Sequence, residues 1–286
     1  MYLLLLESIG RDINVKAVLF ALAIIAGVAL LMGGIIVLIS KICHVEEDPR
    51  IAQVTELLAG ANCGGCGYPG CGGFACALCE GKADVSACGP TSAENKTAIC
   101  EILGMAAETG EPTIAVVACA GGSNAVDKFA YEGYCDCDNQ ILVAGGPKAC
   151  TAGCMGGGTC VTACPYGAIE IVDGCAKVKP EECRSCGLCI KACPKNVITR
   201  IPQSASIYIA CNSKCKGKDV MAQCKVGCIG CGICARMCPN GAITMVDNLP
   251  VIDYSKCTSC HVCVAKCPRK IIRYVNEPVA TESAEK

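Results

Sequence analysis

The chain has 286 residues, 31 of them cysteine, with no Trp, two His and a net charge of −1. The near-neutral charge excludes the basic field of a typical nucleic-acid-binding protein. A long chain with an odd number of cysteines does not fit a small secreted disulfide scaffold. The cysteines instead fall into metal-ligand spacings, which indicate thiolates kept in a reducing compartment. We expect metal binding to supply much of the folding free energy.

Residues 17–40 form an apolar run of 24 residues without a charge. As a helix, this run spans roughly 36 Å, enough to cross a hydrocarbon core of roughly 30 Å. A signal peptide is the alternative, but the run exceeds an apolar region of about 7–15 residues and no cleavage site stands out. The sequence predicts one uncleaved transmembrane anchor. Flanking Lys and Arg leave its orientation open, and the reducing environment expected for the thiolates places the cysteine-rich part in the cytoplasm.

The first cysteine block reads NCGGCGYPGCGGF over residues 62–74, and a further cysteine follows at position 88. Three close thiolates in a glycine-rich loop and one returning thiolate form a reasonable cage for one 4Fe–4S cluster. Its predicted ligands are Cys63, Cys66, Cys71 and Cys88. Cys76 and Cys79 lie nearby on a predicted short helix and are the alternative ligands or packing residues. Cys100, on a helix predicted over 93–107, is expected in the core.

Three later blocks follow the pattern C-x2-C-x2-C-x3-C-P, and a divergent block runs over residues 150–164. Structural zinc sites need two C-x2-C pairs separated by a dozen or more residues, so they do not explain this spacing. A shift of 74 residues superposes the second half on the first. Each half therefore predicts an α+β ferredoxin module with two clusters, with strands over 167–172 and 242–246.

In such modules the fourth cysteine of each motif ligates the other cluster. This crossing predicts three ligand sets: Cys164, Cys183, Cys186 and Cys189; Cys228, Cys231, Cys234 and Cys267; and Cys238, Cys257, Cys260 and Cys263.

The divergent motif has Gly157 where the second half has Cys231. Its predicted ligands are Cys150, Cys154, Cys160 and Cys193. A three-iron cluster, or recruitment of Cys137 or Cys119, is the alternative. Further candidate ligands are Cys119, Cys137, Cys211, Cys215 and Cys224. The sequence predicts five 4Fe–4S clusters and allows a sixth.

Beyond the cysteines, the chain shows no G-x-G-x-x-G fingerprint after a strand and no acid, base and nucleophile constellation. This pattern predicts an electron relay that leaves hydride chemistry to another protein. Lys214, Lys216 and Lys218 would dock an acidic electron carrier by charge steering, or would simply form a solvated loop. His44 and His261 are expected to be packing or solvent-facing residues.

The predicted order is a membrane anchor (1–43), a four-cysteine 4Fe–4S domain (44–110), two ferredoxin-like modules (111–202 and 203–275) and a disordered tail (276–286). The anchor, the step EEDPR over 46–50, and the block NCGGCGYPGC resemble the RnfB family of Rnf complexes. These complexes are membrane-bound ferredoxin:NAD⁺ oxidoreductases, and the duplicated modules are similar to the long form of the family.

This resemblance implies a subunit of an ion-translocating oxidoreductase in the cell (inner) membrane, together with the other Rnf subunits RnfA, RnfC, RnfD, RnfE and RnfG. Soluble ferredoxin would donate the electrons, NAD⁺ would be reduced at a flavin-bearing subunit, and Na⁺ or H⁺ would be exported. Two other classes compete. One is a ferredoxin-like subunit of a hydrogenase or formate dehydrogenase, and the other is a metal-binding scaffold without redox function.

Overall fold

The computed structural model describes residues 15–42, 48–105 and 110–276. The chain divides into two compact units, Met1–Asp48 and Pro49–Lys286. His44 and the tail beyond 276 lie outside the described residues. The helix predicted over 93–107 ends earlier, at Leu103, because Gly104 takes up a left-handed conformation with φ of 65° and caps it.

Helix α1 spans Val15–Ile42, and its segment Val18–Ile39 has a mean hydropathy of 2.9. At 1.5 Å per residue, that segment covers roughly 33 Å. Its side chains are exposed throughout. By length and composition, this helix is suited to cross a membrane, as the predicted anchor requires.

The small domain that follows is helical. Its elements are α2 (Pro49–Leu57), α3 (Cys71–Cys79), a 3₁₀ turn (Val85–Ala87) and α4 (Ala93–Leu103). The Ser92 hydroxyl caps α4 by accepting a hydrogen bond from the Asn95 amide at 3.2 Å. Val54, Phe74 and Ile99 are almost fully buried, so this domain has an apolar core of its own.

The first module contains four strands and three short helices. They are β1 (Thr113–Val117), α5 (Cys137–Leu142), α6 (Thr159–Thr162), β2 (Ile169–Val172), β3 (Cys175–Val178), α7 (Leu188–Lys191) and β4 (Ile198–Pro202). Strand β1 pairs antiparallel with β4, and β2 pairs with β3 in a hairpin. Asp173 and Gly174 form the hairpin turn with φ of 51° and 71°, as a tight type I′ turn requires.

The second module repeats this arrangement of strands. Its elements are β5 (Ile207–Ile209), α8 (Gly217–Gln223), α9 (Ile233–Met237), β6 (Ile243–Val246), β7 (Leu249–Ile252), α10 (Val262–Lys266) and β8 (Ile272–Tyr274). Strand β5 pairs with β8, and β6 with β7. The predicted duplicated α+β architecture is therefore confirmed, with the two-stranded sheets in equivalent places.

Strand β1 separates the two modules. Ala115 and Val117 pack into the cysteine-lined core of the first module. Ile114 and Val116, which alternate with them, pack in a second apolar cluster that includes Tyr208, Tyr254 and Val275 of the second module. Because both faces of β1 are buried, the modules form a continuous body within the Pro49–Lys286 unit.

Candidate iron–sulfur centres

Four cavities of the Pro49–Lys286 unit are each lined by four cysteines. Over the described part of the chain, no three Cys, His, Asp or Glu side chains converge on a position for one metal ion. Zinc would need its sulfur ligands about 2.3 Å away on every side. Thiols spaced around a cavity instead suit a cluster of several atoms.

Cys164, Cys183, Cys186 and Cys189 line one of these cavities, as their spacing predicts. Helix α7 carries Cys189, and the Ala115 amide of β1 donates to Cys183 Sγ at 3.5 Å. Burial raises the pKa of Cys189 to about 11, and the neighbouring thiols contribute to this increase. With a raised pKa, such a thiol does not readily lose its proton. Binding to a positively charged iron core would stabilise the thiolate and offset the free energy that deprotonation costs.

Cys228, Cys231, Cys234 and Cys267 line a second cavity. Three come from one motif and the fourth from the next, which is the crossed pattern of ferredoxins. Cys231 is exposed, so this site reaches the surface of the second module.

In the set Cys238, Cys257, Cys260 and Cys263, the Cys263 side chain is buried in the core of the second module, and Cys238 and Cys257 pack against that core. Burial raises the pKa of Cys263, and the nearby Cys257 and Cys260 thiols add to this increase. The Ala242 amide donates to Cys238 Sγ at 3.3 Å. Amide donors to sulfur tune cluster potentials. Cys260 is exposed, so this site also reaches the surface.

The divergent motif gathers a different set from the one predicted. Cys137, Cys154, Cys160 and Cys193 line one cavity. Cys150 is absent from that cavity and lines another. Thus the structure brings three of the predicted ligands together, with Cys137 in the place given to Cys150.

Gly157 explains this substitution. A Cβ at Gly157 would lie 2.6 Å from the Asp136 carbonyl carbon and 2.7 Å from the Cys137 amide nitrogen. The backbone that carries Cys137 therefore passes directly over the position where the second module has a cysteine. The Cys137 amide donates to Thr159 Oγ1 at 2.9 Å, which fixes the start of α5 beside α6.

The segment that delivers Cys137 is an insertion. The stretch between Cys119 and Cys150 is 18 residues longer than the equivalent stretch between Cys211 and Cys224. It contains α5, which begins at Cys137 with Asp136 as its cap. The sequence signal for Cys137 was the coincidence of a missing cysteine at 157 with an insertion that carries two cysteines, Cys135 and Cys137.

The first cysteine block folds around the core of the small domain. Cys66, Cys71 and Cys88 pack against that core, and the Cys71 amide donates to Asn62 Oδ1 at 2.8 Å. Of the alternative ligands, the Cys76 thiol points to Glu80 Oε1 at 3.6 Å, whereas Cys79 packs against the core. Cys100 is buried in that core, in keeping with its expected packing role.

This block lies against the first ferredoxin module. Gly65 abuts the Cys186 carbonyl so closely that a Cβ would overlap it, and Gly89 abuts the Ser185 carbonyl in the same way. Lys191 Nζ donates to the Gly65 carbonyl at 2.9 Å. The loops of two predicted cluster sites are thus in direct backbone contact.

Tyr166 lies at this contact, and sequence reasoning did not single it out. Burial raises the pKa of Tyr166 to about 12, and the Cys63, Cys186 and Cys88 thiols contribute to the increase. Its hydroxyl is buried without a hydrogen-bond partner within the ranges the structure describes. The second module has Asn240 at the equivalent position. Of these two positions, the tyrosine therefore occupies the one at which the small domain docks.

His261 has a packing environment. Its ring stacks edge-on against Tyr274 with centroids 4.9 Å apart, and its Nε2 lies 3.1 Å from Ser206 Oγ. Of the remaining cysteines, Cys135 is exposed and Cys175 is buried. The surface residues Lys214, Lys216 and Lys218 lie on the second module, where Lys214 pairs with Asp247 at 3.0 Å.

Three family models match the chain. A 4Fe-4S dicluster domain matches residues 227–271 and a 4Fe-4S binding domain matches 176–199. An Fe-S cluster model matches 58–90, which covers the first cysteine block. These matches cover the first cysteine block and the three regular C-x2-C-x2-C-x3-C motifs.

Three relatives, each the subunit designated B of its complex, resemble the chain over most of its length. The relative from the Na(+)-translocating ferredoxin:NAD(+) oxidoreductase complex of Acetobacterium woodii is 40% identical over 85% of this chain and 73% of its own length. The relative from the ion-translocating oxidoreductase complex of Methanosarcina acetivorans is 41% identical over 84% and 91%. The relative from the proton-translocating ferredoxin:NAD(+) oxidoreductase complex of Clostridium ljungdahlii is 40% identical over 85% and 87%.

Identity at this level, over this much of each chain, confirms the family that the motifs indicated. The duplicated modules, the small iron–sulfur domain and the apolar helix all lie on one chain in the predicted order. The chain belongs to the RnfB family of ion-translocating ferredoxin:NAD⁺ oxidoreductase complexes, the Rnf complexes.

Proposed function

We propose that this chain is the electron-relay subunit of a membrane-bound, ion-translocating ferredoxin:NAD⁺ oxidoreductase. One observation carries the proposal: the loops of two predicted cluster sites are in direct backbone contact, with the Cys63 block against the Cys186 motif. Each 4Fe–4S cluster, when bound, carries one electron at a time. The chain therefore acts as a wire whose conducting centres are held by cysteines.

We assign at least five clusters. The first is held by Cys63, Cys66, Cys71 and Cys88, and three more are held by the crossed sets predicted from spacing. The cluster of the divergent motif is held by Cys137, Cys154, Cys160 and Cys193, because these four line one cavity.

The protein's own residues hold the thiolates, exclude water and point amides at sulfur. The Ala115 and Ala242 amides donate to Cys183 and Cys238. Such hydrogen bonds stabilise the thiolates and tune the reduction potentials. Hydride transfer to NAD⁺ belongs to another subunit, since this chain carries no recognisable nucleotide fingerprint.

Soluble ferredoxin is the proposed electron donor, as the names of the relatives indicate for their complexes. Residues 203–275 contain ten Lys or Arg, three Asp and no Glu. Residues 49–202 contain eleven Lys or Arg but fifteen Asp or Glu. An acidic carrier would be steered to the basic second module, where Cys231 and Cys260 bring two sites to the surface.

The remaining partners and the location follow from the family. We place the chain with RnfA, RnfC, RnfD, RnfE and RnfG, anchored in the cell membrane by α1, with the cysteine-rich unit in the cytoplasm. The names of two relatives specify Na⁺ and protons respectively, so the coupling ion varies within the family.

Ferredoxin binding to the full-length protein in detergent tests the proposed entry point. Reversing Lys214, Lys216 and Lys218 to Glu should weaken ferredoxin binding by roughly tenfold at low salt, with less effect at high salt. The matched control reverses Lys82, Lys96 and Lys177, which lie outside the second module. Equal weakening by both variants would reject the second module as the entry point. Failure of reduced ferredoxin to reduce any cluster would reject the relay itself.

A further inference from the structure

The five-cluster assignment leaves four cysteines unused that all line one cavity. They are Cys119, Cys150, Cys211 and Cys224. A Cβ placed on Gly121 would lie 3.5 Å from Cys119 Sγ and 3.7 Å from Cys224 Sγ, so sulfurs of both modules face each other across a small space. The rest of the cavity wall is mostly small or apolar, with Ala125, Ala210 and Val220 among its residues.

Each module supplies an equivalent pair of these thiols. Cys119 and Cys211 lie two residues beyond the ends of β1 and β5. Cys150 and Cys224 each precede the first cysteine of a ferredoxin motif by four residues, and they are 74 positions apart. The duplication has therefore placed two matching half-sites face to face, and neither half provides four ligands alone.

Backbone amides already point at these sulfurs. The Cys154 amide donates to Cys119 Sγ at 3.3 Å, and the Cys228 amide donates to Cys211 Sγ at 3.3 Å. Cys154 and Cys228 are ligands of the flanking sites in the first and second module. The same contact is thus made on both sides, and each joins this cavity to a neighbouring cluster site by a single hydrogen bond.

The loops that carry Cys150 and Cys224 are fixed by equivalent cations. Lys195 Nζ donates to the Thr151 carbonyl at 2.8 Å and to the Gly145 carbonyl at 2.7 Å. Arg269, 74 residues later, donates to the Cys224 carbonyl at 2.9 Å. These positive charges would also offset the negative charge of a cluster bound by four thiolates.

The pKa values of two of the four thiols, Cys150 and Cys211, reflect how closely the thiols are placed. Burial raises the pKa of Cys150, and Cys119, Cys211 and Cys224 add to that increase. Burial likewise raises the pKa of Cys211, with Cys119 and Cys224 contributing. Thiols of the two modules therefore interact across the cavity.

We propose that Cys119, Cys150, Cys211 and Cys224 hold a sixth 4Fe–4S cluster, shared between the two ferredoxin modules. For its role, this inference rests on the proposed relay: one electron enters from the cluster of one module and leaves to that of the other, with no bond made or broken. The six sites then form one continuous row, from the exposed sites of the second module to the Cys63 block.

Iron and acid-labile sulfide counting on the anaerobically purified full chain tests the site directly. Six 4Fe–4S clusters give about 24 iron atoms per chain, and five clusters give about 20. Cys211→Ser should lose about four iron atoms and one EPR component while the other components remain. Cys135→Ser, an exposed cysteine outside every set, is the matched control and should lose none.

A second variant guards against misfolding. Cys119→Ser combined with Cys150→Ser removes the other half-site, and it should give the same loss of about four iron atoms. A wild-type count near 20, an unchanged count in both variants, or zinc in place of the missing iron would overturn the proposal.

The relay role has a separate readout. After substoichiometric reduction by ferredoxin, freeze-quench EPR of the wild type should show electrons in both modules, whereas in Cys211→Ser the first-module signals should appear at least tenfold more slowly. Equal rates would overturn the bridging role even with six clusters present. If ferredoxin reduces nothing in the wild type, the proposed function fails while the iron count still decides the site.

Discussion

Gly157 and Cys137 are in contact in a way that explains the departure of the first module from the second. A Cβ on Gly157 would lie 2.7 Å from the Cys137 amide nitrogen. Gly157 occupies the position of Cys231, so the place of the missing cysteine and the backbone of Cys137 meet at the same point. The insertion between Cys119 and Cys150 restored the fourth thiol from another part of the chain.

The first prediction concerns whether Cys137 or Cys150 holds the cluster of the divergent motif. Cys137→Ser should remove or strongly alter the cluster of the divergent motif, because Cys137 lines its cavity. Cys150→Ser should leave that cluster intact, because Cys150 lines a different cavity. EPR redox titration of both variants distinguishes the two. Loss of the same spectral component in both would return Cys150 to the divergent motif.

Substitution of Gly157 gives the second prediction. Gly157→Ala should destabilise the protein by about 1–3 kcal/mol, since the added methyl overlaps the Asp136–Cys137 backbone. Thermal unfolding under anaerobic conditions measures this change. Gly72→Ala is the control, because a Cβ there would have no neighbour within 4 Å.

The same overlap predicts that a cysteine at 157 cannot substitute for Cys137. Adding Gly157→Cys to Cys137→Ser should not restore the lost cluster, even though it recreates the motif of the second module. Recovery of the full iron count in the double variant would show that the Asp136–Cys137 backbone can move to accommodate a side chain at 157. The contact with Gly157 would then not determine which cysteine binds the cluster.

The position of Tyr166 gives the third prediction. Its buried hydroxyl lies among the Cys63, Cys88 and Cys186 thiols, so it can donate to sulfur at the contact between the small domain and the first module. Removing a donor to cluster sulfur lowers the reduction potential. Tyr166→Phe should therefore lower the midpoint potential of one or both of these clusters. EPR titration measures it, and Tyr134→Phe, at an exposed site, should change nothing.

Docking of the small domain gives the fourth prediction. Lys191→Met removes the hydrogen bond to the Gly65 carbonyl and should weaken the domain contact by about 1–2 kcal/mol. Limited proteolysis between residues 90 and 113 should become faster while the iron count stays at its wild-type value. Lys177→Met, on β3, is the control. An unchanged cleavage rate in Lys191→Met would show that the glycine contacts alone hold the domain.

Iron removal gives the fifth prediction. Cysteines form much of the buried core of both modules, so the thiols and their neighbours lose their common centre when iron leaves. A chelator with a thiol reductant should abolish cooperative unfolding of the cysteine-rich unit. The chain has no Trp, so tyrosine fluorescence and circular dichroism are the suitable measurements. A cooperative melt in the iron-free protein would contradict the prediction.

Much of this protein could be read from the sequence by spacing alone. The apolar run and the duplication at an interval of 74 residues are visible in the sequence itself, and the three closely spaced thiols of the motifs around Cys186 and Cys234 are placed by local geometry. Short motifs fix the positions of their own cysteines, because each set of three thiols lies on one loop and the start of one short helix. These features were predictable for that reason.

The sequence by itself determined the class of cofactor, the duplication and the resemblance to one family, since the residue types and their intervals are already specific to iron–sulfur chemistry. Only the tertiary structure decided which thiols outside the motifs meet. Cys137 reaches its set across an insertion, and Cys119 meets Cys211 from another module. These contacts depend on how β1, α5 and the two modules pack together. The spacing of the cysteines along the chain does not specify this packing.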